Sequence, residues 1–475
     1  MAAYRSPFLL LLLLSVLACD QSLGQTQSAA TVEVTRKPGK PGKTEPVRLV
    51  GDIPGNIAAR PPDARSTYGG DARTTSPKGA TGFFRVEQIG NESKSWTLVD
   101  PEGHPFFNLA IVGVRSANGK SQVTADALTT KYGTSAKWAA ETTQFLLQHG
   151  FNGTGAWSET EVLRATTPRL PYTHIWNFMS SYGRKRGDTT QLSGHMGYPQ
   201  SAIFVFDPEF EAFCDQHAQK LEAMKDDPWL IGHFSDNEMP LPPDALDKFL
   251  SLPETEAGHK AAAAWLSERR KTPVTAADAK PAQEERNDFL RHVAERYYEI
   301  VSKAIRKHDP NHLYLGSRFY GGNMKQQALW QAAGKYCDVV SVNVYGMWTP
   351  LKADTDNWAT WSGRPFMVTE WYAKGMDSGM PNVSGAGFVV PTQADRAKFY
   401  QHFVLGMMEM PACVGLHWFR YMDNDPADTS VDPSNRDSNK GIVNIKFETY
   451  KPLTDGMKEL NDHVYTLLDI LRLKK

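Results

Sequence analysis

The chain has 475 residues, with 52 lysines and arginines against 53 aspartates and glutamates, for a formal net charge of −1. That length holds one large domain or two ordinary ones. So even a charge balance leaves no electrostatic footprint for nucleic acid, and a nucleic-acid partner is excluded on that ground.

Arg5 supplies a positive start, and Phe8 to Ala18 is an apolar run of 11 residues. A membrane span takes about 20 residues, so residues 1–18 read as a signal peptide. The run ends Val16-Leu17-Ala18-Cys19, which resembles a bacterial lipobox with Cys19 as the lipidated residue. The implied location is the exported cell envelope, with the membrane as partner through the lipid anchor alone. The remaining cysteines, Cys214, Cys337 and Cys413, are an odd set in apolar surroundings and read as buried free thiols. Residues 19–80 carry stretches such as Lys37-Pro38-Gly39-Lys40-Pro41-Gly42-Lys43 and read as a tether, disordered at least to about residue 45, with a short strand at 47–50.

Residues 81–104 alternate and turn, and Asp100-Pro101-Glu102-Gly103 supplies turn chemistry. They predict a β-hairpin region packed against the bottom of the domain C-terminal to it. From residue 105 to 475 strand and helix patterns alternate. Strands are predicted at 106–114, 151–157, 170–176, 229–237, 313–319, 338–346, 365–371 and 414–421. Helices are predicted at 136–148, 208–225, 285–307, 392–410 and 453–473. In the third of these Phe289, Val293, Tyr297, Ile300 and Ala304 recur at helical spacing, and Pro310 stops the run. Eight such units predict a (β/α)8 TIM barrel. The competing doubly wound sheet lacks a glycine-rich nucleotide turn here. Residues 239–283, with a helix over 259–270, form an insertion predicted to roof one side of the barrel mouth.

Two predicted strands end in a carboxylate. Trp229 to Glu238 reads WLIGHFSDNE, and Arg364 to Trp371 reads RPFMVTEW. Barrel enzymes carry their reactive groups at the C-terminal ends of strands. Glu238 and Glu370 on strands four and seven therefore form a candidate pair for cleaving a glycosidic bond, which needs a protonated acid and an ionised nucleophile. Asn237 is placed to bond a substrate hydroxyl. Tyr345, close behind Asn343 on strand six, is placed to hold Glu370 ionised. Trp418, beside His417 on strand eight, is a candidate floor for a sugar ring, with Trp157, Trp176, Trp348 and Trp371 as further platforms. His174, His233 and His417 are candidates to orient hydroxyls. Each of these types also occurs as plain packing at a barrel rim. Asp423-Asn424-Asp425 through Asp428 lacks the offsets of a calcium loop, so no metal and no cofactor is expected, and this loop reads as a polar contact for sugar hydroxyls.

Several stretches carry a resemblance. They are Asn237-Glu238, 309–319 (DPNHLYLGSRF), 337–346 (CDVVSVNVYG), 414–425 (VGLHWFRYMDND), 206–213 (FDPEFEAF) and 96–114. Over about residues 82–470 the chain resembles clan-A glycoside hydrolases and is most similar to the exo-acting β-agarase family. The resemblance implies a retaining mechanism with Glu238 as acid/base and Glu370 as nucleophile, acting on a β-linked, galactose-containing polysaccharide. It departs from the family's common Glu-Phe-His-Phe by having Glu370-Trp371-Tyr372-Ala373. Another β-glycan, such as a β-galactoside or β-mannan, remains an alternative substrate. A non-catalytic, glycan-binding surface lipoprotein is the alternative outside enzymes.

Overall fold

The computed structural model describes residues 30–89, 95–192, 194–274 and 280–472. The signal segment and Cys19 lie outside the described residues. No helix among the described residues is long and apolar enough to cross a membrane.

Eight parallel strand positions close a barrel. Strands one to four are Asn108–Ile111, Gly153–Thr154, Tyr172–Ile175 and Leu230–Phe234. Strands six to eight are Val340–Asn343, Phe366–Glu370 and Cys413–Trp418. Strand eight pairs with strand one, Gly415 opposite Asn108 through Trp418 opposite Ile111, which completes the ring. The strands are apolar runs because a parallel sheet under helices is buried on both faces. Each keeps to the span predicted for it, strand eight starting at Cys413 just ahead of its span.

Strand five comes in two pieces. Leu313–Tyr314 pairs with strand four, and Phe319–Tyr320 pairs with strand six. Between them Gly316 takes φ +79° and Arg318 φ +57°. Backbone groups in this excursion stay bonded: Ser235 N–H donates to the Gly316 carbonyl at 2.9 Å, and Arg318 N–H donates to the Ser341 hydroxyl at 3.1 Å. The kink leaves the Arg318 side chain wholly buried beside strands four and seven.

The helix predicted at 285–307 spans Gln283–His308 and buries Phe289, Val293, Tyr297, Ile300 and Ala304. It stops where Asp309-Pro310 removes the next donor. Glu284 and Glu285 in its first turn and Arg306, Lys307 and His308 in its last suit the helix dipole. The C-terminal helix predicted as one piece is two, Lys451–Asn461 and Val464–Arg472. The break has a long-range cause. Asp63 accepts the Tyr465 and Thr466 N–H groups at 2.7 and 3.1 Å, capping the second helix, while its own N–H donates to the Asp462 carbonyl.

Asp63 belongs to the segment read as a tether. From residue 30 onward that segment is folded. Thr31–Val34 pairs antiparallel with Lys43–Pro46. Val32, Val34, Val47, Val50, Ile53 and Ile57 are buried in the main core. Its backbone is tied to the helix Gln393–Met408, with Val50 N–H donating to Gln401 Oε1 at 2.9 Å and Arg48 N–H to His402 Nδ1 at 3.0 Å. The Pro-Gly-Lys run that signalled disorder is the turn of the hairpin.

The hairpin region is a three-stranded antiparallel sheet, Arg85–Ile89, Ser95–Val99 and Pro105–Phe106. Phe84, Leu98 and Phe106 cluster with Ile231, Leu313, Val339, Met367 and Val414 and close the bottom of the barrel. The insertion does not roof the mouth. Its helices Ala245–Leu250 and Ala257–Arg270 lie against the long helix, with Phe249 and Trp265 on Phe289. Their buried apolar faces (Leu246, Phe249, Leu266) are satisfied there rather than over a polar cleft.

Candidate active site

At the C-terminal end of the barrel a cavity of about 530 Å³ is lined by Glu238, Glu370, Asn237, Tyr345 and Trp157 among others. Glu370 is the last residue of strand seven, and Glu238 comes shortly after Phe234, the last residue of strand four. One hydrogen-bonded frame joins them. Asn343, at the end of strand six, donates through its amide to Glu238 Oε1 at 2.7 Å and Asn237 Oδ1 at 3.2 Å. Arg318 Nη1 donates to Asn237 Oδ1 at 3.0 Å, and its Nη2 donates to the Thr369 carbonyl at 2.9 Å while lying 2.8 Å from Glu370 Oε1. The Tyr345 hydroxyl donates to Glu370 Oε2.

Three non-glycine residues of this site have positive φ: Trp157 at 59°, Glu238 at 49° and Arg318 at 57°. Such backbone costs energy and persists where surrounding contacts hold it. Arg318 was missed in the sequence, although a signal existed: an arginine inside LYLGSRF is costly to bury without a carboxylate.

Burial raises the Glu238 carboxyl to about 8, with the neighbouring Glu370 charge adding to the effect. Burial also raises Glu370, but the Arg318 ion pair and the Tyr345 hydroxyl oppose it there. The site thus favours one proton on the Glu238 side and negative charge on the Glu370 side.

The other predicted residues divide. Trp157 lines the cavity, with the Arg318 guanidinium carbon 4.3 Å from its ring centroid. Trp371 and Trp418 do not line it. They are 1% exposed and meet edge to face beneath its wall, Trp371 stacked on Phe403 and Trp418 donating Nε1–H to the Lys440 carbonyl at 3.1 Å. The reason is strand alternation: Glu370 faces the barrel axis, so Trp371 faces the helices, and His417 and Trp418 divide the same way. Phe419 takes the cavity position foreseen for Trp418. His417 is buried inside the barrel, bonded to Asn108 Oδ1 at 2.6 Å, and burial lowers it to about 3. Trp176 donates to His233 Nδ1 at 2.9 Å and stays outside the cavity, and Trp348 is buried, donating to the Pro46 carbonyl. His174 is bonded to Thr160 and held neutral, lowered to about 4 by burial.

Asp236 is structural, accepting from Met179 N–H, Ser180 N–H and the Tyr297 hydroxyl. Of the acidic loop, Asn424 reaches the cavity. Asp423 instead accepts from the Lys440 and Gly441 N–H groups, and Asp425 from Ser121. His233, Asp309 and His312 have the proximity of metal ligands. Their ring nitrogens are committed, however: His233 to Trp176 and Asp309, His312 to Asp309 and the Asp227 carbonyl. The group is a buried hydrogen-bond network.

No family model matches the chain. Beta-agarase B of Vibrio sp. (strain JT0107) is 27% identical over 499 residues, covering 86% of this chain and 51% of the relative. Beta-agarase A of the same strain is 24% identical, covering 78% and 45%. The crystal structure of BpGH50 superposes with a TM-score of 0.80 at 29% identity, covering 93% of this chain and 95% of that one. The chain is thus similar in sequence to curated β-agarases and in fold to BpGH50. A solved exo-beta-agarase agrees, with a TM-score of 0.70 at 25% identity over 86% of this chain and 68% of the other. The chain spans about half the length of the curated relatives it matches.

Proposed function

We propose that the protein is a retaining glycoside hydrolase that cleaves a β-linked, galactose-containing polysaccharide by double displacement. The observation that carries this reading is the asymmetric pair in one cavity: Glu370 beside Arg318 and Tyr345, Glu238 with a raised carboxyl. The similarity to β-agarases supports the substrate class. In the first step Glu370 attacks the anomeric carbon while Glu238 gives its proton to the departing glycosidic oxygen. The Glu370 ester then carries no charge, so the Glu238 pKa falls. In the second step Glu238 takes a proton from water, the water oxygen bonds to the anomeric carbon, and Glu370 leaves as carboxylate. Asn237 and Trp157 contact the sugar in this reading.

The test uses azide and a substrate with an activated leaving group. Glu238→Ala should yield the glycosyl azide with retained configuration, because Glu370 still forms its ester. Glu370→Gly should yield the inverted azide by direct attack. Exchanged configurations would reverse the roles, and full activity in either variant would remove that residue from the mechanism. Reducing-sugar release from agarose, porphyran, β-galactan and β-mannan assigns the glycan. Release from none of them would favour a glycan-binding protein without catalysis.

The same proposal includes export with a lipid anchor at Cys19, supported by the apolar run ending in Ala18-Cys19. Cys19→Ser should leave the membrane fraction or stay unprocessed. Unchanged fractionation and migration would refute the anchor.

A further inference from the structure

Arg318 is the guanidinium at this cavity that has a carboxylate partner. Two others line the same cavity without one. Arg115, exposed just beyond the end of the strand-one segment, has no hydrogen-bond or ion-pair partner among the described residues. Arg420 comes after strand eight. Its side chain makes one hydrogen bond, from Nη2 to Asn118 Oδ1, and its Nε is buried without an acceptor. Elsewhere in the molecule a half-buried arginine is served by carbonyls: Arg472 donates to those of Trp96, Met408, Met410 and Cys413. Arg420 has no such set.

Two of the carboxylates nearby are committed, and a third, Asp432, has one of its oxygens engaged. Asp423 accepts from two backbone N–H groups, the Asn439 amide and the Tyr450 hydroxyl. Glu370 is held by Arg318 and Tyr345. Asp432 lines the cavity, accepts from Ser434 N–H and acts on Glu238. The Arg115 charge opposes that of Arg420, while the Glu370 and Asp423 charges act the other way, and an entering anion would add to that second effect. Burial and the Arg115 charge lower Arg420 to about 10, so its guanidinium stays charged at neutral pH.

We propose that Arg115 and Arg420 form a subsite for an anionic substituent, a sulfate ester or a carboxylate, on the sugar that enters beside Glu370. The inference rests on the glycosidase reading above and narrows its substrate to an acidic glycan. Both anions offer the paired oxygens that a guanidinium fork bonds. Asn118 fixes the wall: its amide donates to the Met422 and Asp423 carbonyls at 3.0 and 3.1 Å while its oxygen holds Arg420.

The experiment compares three matched galacto-oligosaccharides: neutral, 6-O-sulfated and uronate-bearing. For the wild-type protein kcat/KM should be at least about tenfold higher on one anionic substrate than on the neutral one, and KM for that substrate should rise with salt. The anion with the larger ratio names the source. Arg115→Gln should lower the anionic-to-neutral ratio about tenfold, and Arg115→Lys should recover part of it. Equal use of all three substrates, or a ratio unmoved by Arg115→Gln, would overturn the subsite. If none is hydrolysed, the glycosidase reading fails on its own. Calorimetric titration with the same three compounds then decides the subsite: tighter binding of an anionic one supports it, and equal binding overturns it.

Discussion

The two walls of the cavity carry the same side chain and treat it oppositely. On the strand-four wall Glu238 has one neutral partner, the Asn343 amide. On the strand-seven wall Glu370 has a buried guanidinium and a phenol hydroxyl, with Arg420 adding to the field. Burial penalises charge on both sides, and the second wall compensates with an ion pair and a hydroxyl where the first has the Asn343 amide and the field of Arg318. A pair of glutamates is therefore divided into acid and anion by neighbours drawn from strands five, six and eight, not by anything in the glutamates' own strands.

The comparison can be broken outright by removing either carboxyl. Glu238→Gln and Glu370→Gln should each lower kcat on the natural glycan by about 10³-fold or more, in the range of lost acid–base or nucleophilic catalysis. Steady-state kinetics on pure oligosaccharide reads this. Next in size is the support below the strand-seven wall. Trp418→Ala should cost about 3 to 5 kcal/mol of stability, as large buried aromatics do, and denaturant unfolding would measure it. Trp157→Ala should instead leave the unfolding midpoint near wild type and raise KM.

Tyr345→Phe tests the compensation itself. It deletes one hydrogen bond to a charged acceptor, worth about 1.5 to 3 kcal/mol, so kcat should fall about ten- to a hundredfold with little change in KM. The pH dependence sharpens the contrast. In the proposed mechanism Glu238 is the acid and must be protonated, so kcat/KM should decline as pH rises through about 8. In Glu370→Gln the neighbouring negative charge is gone. The Glu238 titration, tracked by carbon NMR of labelled glutamate, should then move to lower pH, and a move upward would contradict the coupling.

The smallest effect is expected furthest out. Arg36, on the N-terminal hairpin, donates to the Tyr345 and Gly346 carbonyls at 2.9 and 3.0 Å and lies over Phe388. Arg36→Ala should loosen the segment carrying the Tyr345 hydroxyl and reduce kcat a few-fold, about 1 kcal/mol for exposed hydrogen bonds. Arg36→Lys keeps a charge but not the fork and should recover little.

Reading strands was easy where apolar runs end in turn residues. All eight strand positions fall inside their predicted spans or overrun them by a single residue, at Cys413 and Tyr320, and the long helix was legible from Phe289 to Ala304 and its Pro310 stop. Residues 30–63 were misread because composition outweighed pattern. Thr31 to Val34 alternates as a strand should, yet the Pro-Gly-Lys run after it read as disorder. Trp371 and Trp418 follow cavity-side and axis-side residues in the chain, and because strand neighbours point to opposite faces both turn away from the cavity foreseen for them.

By itself, then, the sequence determined the barrel, its bottom plug, and the two strand-end glutamates. Those arise from local pattern: apolar period, turn chemistry and the place where an apolar run gives way to carboxylate. Tertiary structure decided which glutamate keeps its proton, which aromatic rings meet the cavity, and that Asp63 and Arg36 brace elements 403 and 310 residues away in the chain. Those depend on groups brought together across the barrel, through the Arg318 kink and the N-terminal hairpin, where burial and charge act over distance in space rather than along the chain.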